Sequence, residues 1–520
     1  MIRTAMRNLC FALCLGQLWL AQAQTFNRRY DTFSQGLSNG GWSIDKNGEM
    51  GFAVSAYSRY TDSLHLYTTA ALVRLDQFGN VLSESRMLDS VFGIFPGVTD
   101  CGQRTTDGGI IIGGSTESPG DIDRAALIRY SASGDSIWLR VYDSGSGGWI
   151  GRQAKCTKDG GFALCGETST MGNGDGFVIK TDSNGTEQWR RTYGGPMLYD
   201  FMPAIDTTED EGYFLGGEYR QTQDNKDLWV LRISGNGDTI WTTTWGSEFD
   251  EPDAHLSTLS NGNPVIASAW GLASDFSLTR CYMAELDQND GSIVWERQYG
   301  TPNYRGTLYT PKEVRPGEGC IAAGYIEEGG DNLPFWRGVM LRTAANGDSI
   351  WMHSYYYYDS LMTNGKGQLF DVATAQDGGF IACGTATTRY DGTLPPGYDN
   401  QDIWVVKVDS LGCLVPGCEG FLGITSQITN MGYALSVYPN PVRDRLHVRV
   451  QLPASFKTEG ILVLTVLSAE GKLVRQRAVP SCAANEAIMD VTGFAPGNYT
   501  LHLSDAHTWI TGKQFVLCSP

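Results

Sequence analysis

Charged residues are few, 18% of the 520-residue chain, and no apolar heptad is sustained along it. Long helices and coiled coils are therefore not expected. Histidine is scarce, six in all, and no His-Glu-x-x-His metalloprotease motif occurs. No pair of cysteines has the C-x-x-C spacing of a zinc site, so no metal is expected. Beyond residues 9–21 there is no long apolar run, which leaves no membrane span in the mature chain. Basic residues are outnumbered, 39 against 57, for a net charge of −18. That balance disfavours nucleic acid and anionic membranes as partners.

Glycine and aromatics are plentiful: 64 glycines and an aromatic content of 11%. Many short strands joined by tight turns need this composition. The stretch 153–195, QAKCTKDGGFALCGETSTMGNGDGFVIKTDSNGTEQWRRTYGG, contains two hairpins. Their turns are Lys158-Asp159-Gly160-Gly161 and Asp182-Ser183-Asn184-Gly185, where Asp or Asn before Gly supplies the positive φ of a tight turn. Aligning such turns on Gly51, Gly109, Gly161, Gly212, Gly262, Gly319 and Gly379 gives spacings of 58, 52, 51, 50, 57 and 60 residues. A fourth-strand tryptophan recurs at Trp138, Trp189, Trp241, Trp295 and Trp351, and is expected to pack between neighbouring units. Four strands per repeat of about 50 residues is the mark of β-propeller blades. The expected fold is all-β: a seven-bladed β-propeller followed by a small immunoglobulin-like β-sandwich.

The seventh unit ends after IWVVKVDSLG without a fourth strand. Phe26-Asn27-Arg28-Arg29-Tyr30 matches Trp189-Arg190-Arg191-Thr192-Tyr193 in pattern. The N-terminus is therefore expected to supply the missing outer strand and close the ring, removing an exposed edge. Before it, Arg3 and Arg7, the apolar run and Ala21-Gln22-Ala23 have the form of an export signal over 1–23. Its removal takes the charge from −18 to −20. The expected domains are 1–23 signal peptide, 24–416 propeller, 417–434 linker and 435–520 a second, independently folded domain with few contacts to the blades. An exported chain can form disulfides. Cys413 and Cys418 are close enough to bridge a turn, and Cys482 and Cys518 lie in one domain and could pair. Cys165 and Cys383 occupy equivalent blade positions, where a small buried apolar role is expected.

Two resemblances rest on specific motifs. Residues 435–520 resemble the C-terminal sorting domain of the type IX secretion system of Bacteroidetes. The residues are Tyr438, Pro439, Asn440 and Pro441, then Asp444 and Leu446, the hairpin at Gly471, Gly497 with Tyr499, and Lys513. This likeness implies the type IX machinery as partner, passage through the outer membrane, and an extracellular or outer-membrane surface location. The blades are similar to secreted Bacteroidetes propeller repeats, and Asp182, Gly185 and Trp189 resemble in part the docking motif of quinoprotein propellers. The adjacent cysteines of a quinone pocket are absent, so no cofactor is expected.

Chemistry-bearing clusters are sparse. His65, His255 and His353 fall at non-equivalent positions of different blades; the acidic stretches 209–211 and 248–251 lack the alternation of a calcium loop, and 287–291, which comes nearer, sits at a third-to-fourth-strand turn whose chemistry explains it. No catalytic residue is assigned. Variation in length concentrates in the connections between second and third strands, all on one face, where binding loops are expected. Tyr57, Tyr60, Tyr67, Trp270, Trp336, Tyr390 and Tyr398 make that face a candidate ligand surface. The expected function is a secreted or cell-surface binding or scaffold protein for a glycan or protein. The alternative is an extracellular polysaccharide hydrolase or lyase with acidic residues in the central channel.

Overall fold

The computed structural model describes residues 25–518, apart from 35–36, 47, 49–50, 62–65, 89–92, 119–121, 143–146, 170–173, 196–199, 223–224, 274–277, 301–304, 329–334, 358–365, 388–400, 416–417, 419–426, 429–433, 453–459, 470, 481–483 and 506–507. The export-signal residues lie outside this set, as do His65, Tyr390, Tyr398 and Cys482.

Among the described residues before 409, seven antiparallel sheets form, six of them meanders of consecutive strands and the last completed by the N-terminal strand. The third runs Gly148–Cys156, Phe162–Ser169, Gly176–Thr181 and Glu187–Tyr193. In the second, Gly93–Pro96 and Gly102–Arg104 share the innermost place beside Ile110–Ser118. In the last sheet Phe26–Tyr30 is the outer strand, antiparallel to Gln401–Val408 with Phe26 opposite Lys407. A separate apolar cluster lies between each sheet and the next. One further cluster joins the last sheet to the first, through Phe26, Ile381 and Ile403 on one side and Ile44, Val54 and Val73 on the other. Sheets that bury their two faces against successive neighbours around a closed path are the blades of a β-propeller.

The repeat signature has a packing reason. Each marker tryptophan covers the glycine turn between the third and fourth strands of the following blade. A Cβ on Gly237 would stand 3.0 Å from Trp189, and one on Gly291 2.8 Å from Trp241. Four residues on, a tyrosine hydroxyl donates to the same turn: Tyr193 to the Gly237 carbonyl at 2.8 Å and Tyr299 to Gly347 at 2.6 Å. The N-terminal strand repeats the device. Phe26 stands where the tryptophan would, 2.8 Å from a Cβ on Gly79, and Tyr30 donates to the Gly79 carbonyl at 2.7 Å.

The Asp of each Thr-x-Asp-Gly-Gly turn is likewise occupied. Asp159 accepts from Thr157, from the Gly161 amide and from Lys180 of the third strand at 2.7 Å. Asp107 accepts from Thr105 and Arg129 in the same way. The Thr105 hydroxyl, with the Gly109 amide and Arg129, holds its carboxyl down to about 2. The glycine alignment needs one adjustment. Positive φ falls on Gly108, Gly160 and Gly378, one residue before the aligned glycines, but on Gly262 and Gly319 themselves.

Beyond the blades a three-stranded sheet and a five-stranded sheet, the latter including Gln427–Ile428, share one core, with Leu446, Val448, Leu464, Leu501 and Phe515 buried. The second domain meets the end of the last blade through one small described cluster. Cys413 and Cys418 are joined by a disulfide, and Trp509 is fully buried against this bridge and Val415. Its indole donates to His502 Nδ1 at 2.8 Å. A large aromatic on the domain's surface meets an apolar loop at the end of the last blade, and burial of both faces favours docking.

Candidate functional site

The innermost strands line a central channel, and six of the seven carry an irregularity there. Register shifts fall between Gly41 and Ser43, Gly151 and Ala154, Phe201 and Ala204, Leu308 and Pro311, and Leu369 and Asp371. In the second blade a whole segment, 97–101, interrupts the strand. Bulges re-aim side chains, and here they turn polar groups into the channel. Thr99 and Asp100 have φ of 63° and 47°, a conformation costly for residues with a Cβ. It is held by neighbours on several sides: Gln153 donates to the Thr99 carbonyl at 3.0 Å, and the Asp100 amide donates to the Trp42 carbonyl at 3.1 Å.

This segment divides the channel. On the side where the second-to-third connections emerge lies a cavity of about 450 Å³, lined by Thr99 and, among others, Arg152, Glu218, Asp253, His255, Arg305 and Tyr309. On the other side, Asp100 lines a second cavity of about 310 Å³ with Lys155 and Lys312. Below the step Asp100 is bracketed by Lys155 and by Lys312 at 2.8 Å. Nearby, the buried Asp371 accepts from the Ile44 amide at 2.9 Å. Burial pushes its carboxyl up to about 7.

The first cavity gathers its groups from several blades. Arg152 holds Glu167 with Nε 3.1 Å from both oxygens, and lies over the Phe201 ring at 5.2 Å. Burial raises the Glu167 carboxyl. Glu218, on the second strand of its blade, accepts from Lys226 on the third at 3.1 Å. Burial, then the nearby Asp253 charge, pushes Glu218 up to about 7 against the pull of Lys226. Asp253 behaves oppositely. Against burial, which raises it, the His255 ring at 3.0 Å holds its carboxyl below the usual range. The other nitrogen of His255 is 3.2 Å from the Thr99 hydroxyl, so both ring nitrogens are engaged. Tyr309 meets the His255 ring edge-on at 5.3 Å and Tyr325 at 6.3 Å, giving one wall an aromatic surface. Arg305 has Glu327 as its described ionic partner, at 4.0 Å.

Most of the candidate ligand-face aromatics pack elsewhere. Tyr57 is buried and stacked on Trp42, Tyr60 stacks on Tyr67, and Trp270 packs on Tyr282. Trp336 stacks on Tyr325 at 5.0 Å and so backs the cavity wall. Of the histidines, His255 reaches the cavity, whereas His353 is buried against Trp351. The acidic stretches are turns: Glu251 accepts from Ser247 and Gly271, and Asp287 from the Asn289 amide. The spacing Gly-x-Ser-x-Gly does occur once, at 36–40. Ser38 there leads into a strand, Asn39–Lys46, and not the helix of a nucleophile elbow. Sequence reading missed Glu218, Asp253, Arg305 and Tyr309. One trace was present: Arg305, Thr307 and Tyr309 alternate along an inner strand, the period of one sheet face.

In the second domain Asn440, between Pro439 and Pro441, is tied to the last strand. Its Oδ1 accepts from the Val516 amide at 2.9 Å, and its Nδ2 donates to the Gln514 carbonyl at 3.2 Å. Tyr438 is exposed and stacks on His447. Asp444 accepts the Val491 amide through its carbonyl, and Leu446 is in the core. Gly471 turns a hairpin at φ 75°. Tyr499, on a strand that begins at Gly497, packs on Phe515, and burial lowers the Lys513 ammonium. Cys518 is a half-buried free thiol, and its suggested partner Cys482 lies outside the described residues.

No curated protein sequence matches the chain. Among solved structures it is similar to a protein of unknown function from Dyadobacter fermentans DSM 18053, at 10% identity and TM-score 0.38, over 74% of this chain and 96% of that one. The endosialidase of phage phi92 is similar at 9% identity and TM-score 0.38, over 95% and 87% of the two chains. The WD40 domain of SCAP from fission yeast is similar at 9% and 0.34, over 74% and 98%. These are distant likenesses, and nothing about this chain's activity rests on them. Residues 436–517 match the family model of the secretion system C-terminal sorting domain. The chain thus carries a type IX sorting domain behind propeller-like repeats, which marks it for export to the cell surface or the extracellular space.

Proposed function

We propose that this is an exported binding protein, secreted or held at the cell surface, that takes a glycan or protein ligand in the 450 Å³ cavity. The cavity carries the reading: it has the size of a small-ligand site and combines an aromatic wall with a few convergent polar groups. It opens on the face where the blade connections vary in length, and a rigid ring with variable loops is a common binding scaffold. The scaffold is a seven-bladed propeller over 24–416, closed by the N-terminal strand. Residues 1–23 act as signal peptide, 417–434 as linker, and 435–520 as an immunoglobulin-like sandwich read by the type IX machinery. Within it, Tyr438, Asn440, Asp444 and Lys513 present the sorting motif.

A glycan array probed with the mature full-length chain tests the reading. Arg305 is partly exposed at the mouth, so Arg305→Ala leaves the fold intact. We expect at least tenfold weaker binding of the selected glycan at an unchanged melting temperature. Undiminished binding by this variant places the ligand elsewhere. A second reading, hydrolysis of an extracellular polysaccharide, is favoured by one observation, the paired carboxyl groups Glu218 and Asp253 in the cavity.

A further inference from the structure

Among the described residues the cavity has a floor. Val98 and Thr99 cross the channel beneath it, and their segment is pinned by Gln153, by the Trp42 carbonyl and by the Gly113 carbonyl, which accepts from the Gly97 amide at 2.8 Å. There is no room for that segment to shift toward the third blade, since a Cβ on Gly97 would stand 1.8 Å from the Arg152 carbonyl oxygen. A blind pocket admits the end of a chain and excludes its middle. Two carboxyl groups face this space from adjacent blades and are held in different ways. Glu218 is buried beside Lys226 and Arg220 and shares its surroundings with the Asp253 charge. Asp253 is gripped on one oxygen by His255, itself fixed by Thr99 and Tyr309. Their surroundings push the two in opposite directions, Glu218 up to about 7 and Asp253 below the ordinary range. A protonated acid opposite an ionised carboxylate is what cleavage of a glycosidic bond requires. Tyr309 and Tyr325 offer the flat apolar surface on which a sugar ring stacks.

We infer that the cavity hydrolyses the terminal residue from a glycan chain, with Glu218 as general acid and Asp253 as general base. This rests on the reading that the cavity binds a glycan. The Glu218 proton passes to the glycosidic oxygen as the bond from that oxygen to the anomeric carbon breaks. A water molecule forms the new bond to that carbon and gives its proton to Asp253. Glu218 is left as carboxylate and Asp253 as acid, and transfer of that proton through solvent restores both. Water is the sole co-reactant. His255, with both nitrogens engaged, is a positioning residue for Asp253.

The test uses the mature full-length chain with 4-nitrophenyl glycosides and with unactivated oligosaccharides, reading the sugar released. Single terminal residues are the expected product. Glu218→Gln should slow cleavage of oligosaccharides by about 10²–10⁴-fold, yet spare the 4-nitrophenyl glycosides, whose leaving group needs little protonation. It should also remove the alkaline limb of the pH profile, where wild-type activity falls as Glu218 ionises beside Lys226, Arg220 and Asp253. Asp253→Asn should abolish both reactions while calorimetry still detects binding of the intact oligosaccharide, which certifies the fold. Oligosaccharides bound but never cleaved by the wild-type chain overturn this inference and leave the binding reading standing. Products of mixed internal length overturn the end-acting assignment, and absence of both binding and cleavage removes both readings.

Discussion

Glu211 is one of four described non-glycine residues, with Phe33, Thr99 and Asp100, whose backbone is left-handed. Its φ is 66°, in a turn where other blades place Gly108, Gly160, Gly262 and Gly378 at φ between 80° and 89°. The turn is exposed, so no packing of the Glu211 side chain compensates. Replacement by glycine removes the steric cost of the left-handed conformation, on the order of 1 kcal/mol, partly offset by the greater freedom of glycine in the unfolded chain. Glu211→Gly is therefore expected to stabilise by a few tenths to about 1 kcal/mol in chemical denaturation. A loss of stability would mean that the Glu211 side chain has a role its exposure does not suggest. Thr99 and Asp100 share this conformation, but there the surroundings impose it, because Asp100 must reach Lys155 and Lys312 from the channel floor.

Among the elements, the strand Phe26–Tyr30 joins sequence to architecture most directly. It supplies the fourth strand of the last blade, and Phe26 and Tyr30 fill the places of tryptophan and tyrosine elsewhere in the ring. Phe26 is 8% exposed and belongs to the cluster between last and first blades. Truncating it leaves a cavity at the seam where the ring closes. Phe26→Ala should cost about 3–5 kcal/mol, and native-state proteolysis should then cut first near the seam and not at other blades. Equal protection of all blades in that variant would show that the seam is not the ring's weak point. The strand was legible because five residues repeat an aromatic-x-x-x-Tyr pattern. The register slip at Gly262 and Gly319 was not legible, since a lone glycine aligns equally well with either member of the Gly-Gly pairs at 108–109, 160–161 and 378–379 until φ is known.

At the scale of the molecule, the ring and the sorting domain have separate cores, but Trp509 docks the second onto the Cys413–Cys418 loop. The clusters between blades draw on no residue beyond Leu414. Deleting 435–520 is expected to leave the ring folded, with a modest fall in melting temperature as the face under Trp509 is uncovered. The truncated chain should accumulate in the periplasm of a producing cell. Truncated protein at the surface in normal amount would contradict the sorting assignment, and a ring that no longer melts cooperatively would make the domain structural. The docking was hidden in the sequence because Trp509 and Cys418 lie 91 residues apart and share no periodic pattern.

What the sequence determined by itself was the repeated unit, its turns and the address at its end. These depend on short-range rules: positive φ at Asn-Gly and Asp-Gly turns, alternation along a strand, and a linear motif such as Tyr438-Pro439-Asn440-Pro441. The cavity was decided by tertiary structure alone. Arg152, Glu218, Asp253 and Arg305 come from different blades, and each looks unremarked in its own repeat. Only closing the ring brings these positions together on one axis, where burial raises Glu218 and the His255 contact lowers Asp253. Tyr57, Trp270 and Trp336, which looked available in the sequence, pack on Trp42, Tyr282 and Tyr325, because a large apolar ring beside a neighbouring aromatic is more stable buried than exposed.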